Sequence, residues 1–279
     1  LSLSLSLSLS LSLSLSPLVS PMTDDPDPRI AYTIGTPYEE WEDSAFNNPS
    51  GLAFDHHRGL LFVADTNNAR VQVFSSDDGS FVSKFGSYGY SPGQFFAPCS
   101  IAIDNDHGRV LVLDWSNHWM QAWSLSEQSF LSCIGKNGSS ELEFHCPQGV
   151  AIATLRHRIV ILDSDNHRLQ VLSLIDFSFL FQFGEYGKGP SQFYYPQGIA
   201  IDDDRHRIIV SDTSNHRVQV FSLIDGSFLF EFGSRGDQPG QFNFPHGVCI
   251  ANQGRIIVAD TYNRRLQSFT HEGHHISSF

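Results

Sequence analysis

Lysine is almost missing from this sequence: Lys84, Lys136 and Lys188 are all it contains. With 17 Lys+Arg against 30 Asp+Glu the formal net charge is −13, which opposes nonspecific attraction to nucleic acid or to an anionic membrane. Part of that charge is local, because Asp24, Asp25, Asp27, Glu39, Glu40, Glu42 and Asp43 cluster near one end. Without residues 1–43 the balance is 16 against 23, or −7. Cysteine is scarce as well. Cys99, Cys133, Cys146 and Cys249 form no C-x-x-C pair, which excludes zinc-finger, RING and B-box spacing and reads as free, buried thiols in a reducing compartment. There is no uninterrupted apolar run of membrane-spanning length, and no basic segment leads into an apolar one as in a signal peptide. The expectation is a cytoplasmic chain without membrane attachment.

Repetition is what the sequence has in plenty. Residues 1–16 are eight Leu-Ser pairs, read as a translated CT-dinucleotide repeat or a disordered tail, and the Pro- and Asp-rich residues 17–28 read as a linker. From Phe46 onward a longer unit recurs. Phe46, Phe95, Phe144, Phe193 and Phe242 are spaced 49 residues apart, and Pro49, Pro98, Pro147, Pro196 and Pro245 keep the same step. A fixed period of this length marks a repeat architecture. Each unit holds four short Ile-, Val- and Phe-rich runs bounded by Asp, Asn, Gly, Ser or Pro; in the fourth copy they are Gly198–Asp202, Arg207–Asp212, Arg217–Ser222 and Ser227–Phe232. The connections are too short for helices, so the runs pair antiparallel as a meander. Such sheets bury their faces by stacking radially.

The expected fold is therefore all-β: a β-propeller of four-stranded antiparallel blades at about 46–94, 95–143, 144–192, 193–241 and 242–279, within a domain spanning 29–279. Arg29–Gly35 is a further strand resembling the outermost strand of a unit. It suggests five blades of a six-bladed ring whose last blade takes its outer strand from near the N-terminus; a closed five-bladed ring is the alternative.

Pro196-Gln-Gly198-Ile-Ala-Ile-Asp202 followed by Ile209-Val-Ser-Asp212-Thr-Ser-Asn215-His-Arg217-Val-Gln219-Val-Phe resembles the NHL repeat, and the likeness covers residues 46–279. The resemblance implies a propeller, most often six-bladed, that binds protein or, in translational repressors, RNA.

Asp65, Asp163, Asp212 and Asp260 each precede an Asn and an Arg (Arg70, Arg168, Arg217, Arg265). A set repeated in four blades points to turn-holding hydrogen bonds and ion pairs, since one active site has no need of four copies. His118, His167 and His216 recur at one turn position on separate blades and are expected to be exposed, not gathered on a metal. The residues after each proline, Ser50, Cys99, Gln148, Gln197 and His246, are expected at the axis. A lyase resembling NHL-like amidating enzymes would need several histidines there, and only one is present. No enzyme activity, metal or cofactor is expected.

Variation between blades points instead to binding on the turn face, where Tyr88, Tyr90, Trp115, His118, Trp119, Tyr186, Tyr194, Tyr195, His216, Tyr262 and Arg264 are the candidates. Trp123 reads as packing. The favoured partner is a protein or peptide. Single-stranded RNA, stacking on aromatics with help from His118, His216, Arg235, Arg264 and Arg265, is the alternative that the net charge disfavours. A metal-dependent lyase or hydrolase is the weakest reading.

Overall fold

Five four-stranded antiparallel meanders follow one another without a crossover in the computed structural model, which describes Ile34 and residues 42–279. The first blade is Pro49–Asp55, Leu60–Asp65, Arg70–Ser75 and Phe81–Phe85; the second is Pro98–Asp104, Arg109–Asp114, Trp119–Ser124 and Phe130–Ile134. The third is Pro147–Ala153, Arg158–Asp163, Arg168–Ser173 and Phe179–Phe183. The fourth runs through Gly198–Asp202, Arg207–Asp212, Arg217–Ser222 and Phe228–Phe232, within one residue of the sequence expectation throughout. The fifth is Pro245–Ala251, Arg255–Asp260, Arg265–Phe269 and His275–Ser278. The Leu-Ser tract, the linker and, Ile34 aside, the Arg29–Gly35 strand lie outside the described residues.

The core lies between blades, not within them. One buried cluster joins Phe62, Ala64, Val71 and Val73 of the first blade to Ile101, Val110, Val112 and Trp123 of the second, and three more clusters join each later pair of neighbours. Trp123 is indeed packing, its ring 4.8 Å from Phe85 and 5.4 Å from Phe95. The inner strands pack side by side from the first blade to the fifth. Among the described residues no core cluster joins the fifth blade to the first, so the five blades form an open arc.

The phenylalanine that opens each unit is the wedge that sets this spacing. Phe95, Phe144, Phe193 and Phe242 are fully buried, each removal from water being worth about 1.5–3 kcal/mol. Phe46, with no described blade before it, is only half-buried. Each buried ring lies against a glycine just after the preceding outer strand. Gly233, for example, has φ +91°, and a Cβ there would fall 2.3 Å from the Phe242 ring. That position therefore needs glycine for both backbone and space. No helix among the described residues is long and apolar enough to cross a membrane.

Candidate functional site

The turn between a blade's second and third strands and the loop leading into that blade lie on one face, because a buried aspartate ties them together. Asp212 Oδ1 accepts the Tyr194 amide at 2.8 Å, while its Oδ2 accepts from Asn215 at 2.9 Å, Arg217 at 2.8 Å and Gln219 at 3.0 Å. Arg217 then donates to the carbonyls of Gly189 and Gln192 in the lead-in loop. Burial pushes the Asp212 carboxyl up, and the Tyr194 amide, Asn215 and Arg217 pull it back. Asp65–Arg70, Asp163–Arg168 and Asp260–Arg265 repeat the pair at 2.7, 2.8 and 2.7 Å. Each arginine pairs with its own blade's aspartate. These are the structural residues the sequence pattern indicates, with one addition: a fully buried glutamine (Gln72, Gln121, Gln170, Gln219, Gln267) completes the set in every blade. Asp114 lacks the guanidinium because Trp119 occupies that position; its donors are the amides of Phe96, Ala97 and Asn117 and the Asn117 side chain.

The lattice holds an aromatic surface. Tyr88 and Tyr90 are 61% and 66% exposed, with ring centroids 5.4 and 5.2 Å from Phe96. A second cluster joins exposed Tyr186 and Tyr195 to half-buried Tyr194, with His167 among them 5.0 Å from Tyr195. A third places exposed Tyr262 5.0 Å from Phe244. Trp115 stands where the other blades have Thr or Ser. Thr66, Ser164, Thr213 bond the following blade's proline carbonyl, whereas Trp115 is partly exposed. Arg264 is exposed, and Trp119 is half-buried.

His216 does not belong to that exposed set. It is 8% exposed, and with His118 and His167, both half-buried, it plays a role the sequence reading missed. Each sits in the left-handed region at φ 58°, 54° and 58° for His118, His167 and His216, which histidine tolerates better than most residues. Each ring then caps the next blade: Nδ1 accepts the amide of Cys146, Tyr195 or Phe244 at 3.1, 3.4 and 3.1 Å. Only a ring with a free Nδ1 lone pair can do this. Burial is the main cause that pushes all three rings below the ordinary histidine value, and the neighbouring His145 adds to it for His118. A histidine whose folded pKa lies below its unfolded one contributes stability present above the unfolded pKa and lost as pH falls. The melting temperature should therefore drop between about pH 7.5 and pH 5.5, across the unfolded histidine value of about 6.5. The triple variant His118→Asn, His167→Asn, His216→Asn keeps a residue tolerated at positive φ and should flatten that slope; an unchanged slope would refute the assignment.

The expected axial set needs correction. The cleft at the centre of the arc is lined by Gly51, Leu52, Ser100, Ile101, Gly149, Val150, Gln197 and Ile199. Of the expected residues only Gln197 reaches it. Cys99 is buried between blades with Sγ 3.4 Å from the Pro147 carbonyl, and Ser50 is turned to Thr66 at 2.6 Å. The inner strands step one or two residues before facing the axis. The cleft holds no more than about one water, and none of its lining side chains is an acid or a base.

Residues 42–148 match a family described as a 6-bladed beta-propeller, and residues 144–172, 193–221 and 242–269 each match the NHL repeat. The chain is an NHL-repeat β-propeller. Solved structures agree on the fold. A streptogramin B lyase structure is 13% identical, with a TM-score of 0.63 over 83% of this chain and 68% of that one. A nidogen/laminin complex gives 14% identity and a TM-score of 0.64 over 85% and 81%. No curated protein matches the sequence significantly. The matched NHL repeats begin at Phe144, Phe193 and Phe242, the wedge residues of the third, fourth and fifth blades.

Proposed function

We propose that this NHL propeller is a non-enzymatic binding module that takes a protein or peptide segment on its aromatic turn face. The observation that carries the reading is the exposed pair Tyr88 and Tyr90, with Tyr186, Tyr195 and Tyr262 on the same face; the first two sit on a loop hydrogen-bonded to buried Asp114 and to Asn117, the others on loops and a turn pinned from beneath by buried ion pairs. Rigid aromatics lose little entropy on binding and supply most of the energy at interfaces. A nidogen/laminin complex among the fold relatives is a protein assembly built with this architecture. The lyase relative shares the fold, but the central cleft here offers no acid or base to a substrate.

The RNA alternative draws less support. Of its five basic residues, His216 is buried and Arg265 is committed to Asp260 and to the carbonyls of Asp237 and Gln238.

Panning a random peptide library against the purified protein tests the reading. Enriched peptides should lose at least about tenfold in affinity to the double variant Tyr90→Ala, Tyr195→Ala, a change of 1.4 kcal/mol or more. The melting temperature should stay within about 2 °C, since both side chains are exposed. Peptides that bind the double variant equally well would reject this face. Retention of a random RNA pool at low salt, lost as salt rises, would favour the nucleic-acid reading instead.

A further inference from the structure

We propose that His145, Cys146 and Asp165 form a binding site for one zinc-like divalent cation at the seam between the second and third blades. Their ligand atoms all lie within 4.8 Å of one another, and His145 Nε2 is 4.0 Å from Asp165 Oδ2. Tetrahedral zinc with sulfur at about 2.3 Å and nitrogen or oxygen at about 2.0 Å sets its ligands roughly 3.5 Å apart. Small side-chain rotations therefore close the site. Thiolate, imidazole and carboxylate together select zinc over calcium or magnesium, which take oxygen alone.

The backbone under the three residues is already fixed. The His145 amide donates to Asp163 Oδ1 at 2.7 Å, the Cys146 amide to His118 Nδ1 at 3.1 Å, and the Asp165 amide to the His145 carbonyl at 3.1 Å. Cys146 is held at φ 48°. The same scaffold recurs at the other seams with different chemistry: the next blade has Tyr194, Tyr195 and Ser214 at these positions, and the fifth has Asn243, Phe244 and Tyr262. Holding a turn needs no ligand set, since those blades hold theirs without one. The repeated histidines His118, His167 and His216 sit on different blades, too far apart to share an ion. The three ligands share one blade, and the period hides them because none of the three is repeated.

The site is open to solvent through His145, whose side chain is 47% exposed, which leaves a fourth position for water. His118 stays outside the ligand set. Its Nδ1 is taken by the Cys146 amide, so its neutral ring carries the proton on Nε2. On binding, the ion replaces the Cys146 thiol proton, which leaves to solvent, and exchanges three of its waters for protein ligands.

Cobalt(II) titration of chelator-treated protein is the test. One equivalent should produce a thiolate-to-cobalt charge-transfer band and tetrahedral visible bands, both abolished by zinc. Cys146→Ser should remove the charge-transfer band, while Cys133→Ser, at the other half-buried thiol, should keep it. His145→Ala, which leaves the backbone hydrogen bonds of the loop in place, should weaken the ion at least about tenfold; this variant carries the test should Cys146→Ser fail to fold. The absence of a charge-transfer band in the unmodified protein, or a band that survives Cys146→Ser or an affinity unmoved by His145→Ala, would overturn the proposal.

Discussion

Asp212→Asn is expected to destabilise the protein by about 3–5 kcal/mol, the range for breaking a buried ion pair from one side. Asp212 and Arg217 are 0% and 7% exposed, so water cannot replace what is lost. Four donors converge on the carboxylate, and a neutral amide turns one of its two atoms into a donor facing them. A fall in melting temperature on the order of 10 °C follows for a domain of this size. Asp114→Asn gives the comparison. That carboxylate is equally buried but has no arginine, Trp119 standing in its place, so only hydrogen bonds from uncharged donors are at stake. Its cost should be nearer about 1–3 kcal/mol. Denaturant midpoints measured on both variants decide the point. Equal losses would mean that the guanidinium contributes nothing beyond the amide donors.

Gly198→Ala is expected to reach or exceed about 3 kcal/mol, the upper end for overpacking. A Cβ at Gly198 would lie 2.0 Å from the His246 carbonyl oxygen, which belongs to the inner strand of the next blade. Backbone cannot step aside as a side chain can, so the two blades must separate at the axis, loosening the cluster that includes Ala200 and Val248. Gly149→Ala is the control: its added Cβ would meet Ile199 Cγ2 at 2.7 Å, a methyl that another rotamer can move. Thermal melts should rank Gly198→Ala well below Gly149→Ala. A reversed order would show that the axial spacing is not set by glycine.

How much of this was legible in the sequence depends on the range of the interaction. The 49-residue step of Phe46, Phe95, Phe144, Phe193 and Phe242 and the alternation inside each unit are local, and they place the strands of the fourth blade to within a residue. The Asp–Arg pairs are five residues apart and readable for the same reason. What escaped the sequence reading needs two segments or two blades at once. His216 looks like an exposed turn residue until the lead-in loop of the fifth blade is laid on it and Phe244 closes to 4.5 Å. The axial assignment failed because which residue after the proline faces the centre depends on a register shift in the inner strand, as between Pro98 and Ser100. His145, Cys146 and Asp165 went unnoticed as a group because a search for repeated residues passes over a constellation present in one copy.

The bonds between blades run from each blade to the next: Thr66 to Pro98, Ser164 to Pro196, Thr213 to Pro245, and Arg207 to His271. The junctions are thus variants of one joint, the second–third one carrying Cys99 Sγ on the Pro147 carbonyl in place of the hydroxyl that Trp115 lacks, beside Arg109 on the Leu174 carbonyl. A whole 49-residue unit inserted between two blades would find a matching joint on either side and leave no bond unmade, whereas half a unit would strand a wedge phenylalanine from its glycine. Such a chain can grow or shrink over generations only in whole blades. Its size is a count of modules, and the angle between neighbours, not any single contact, decides what count closes a circle.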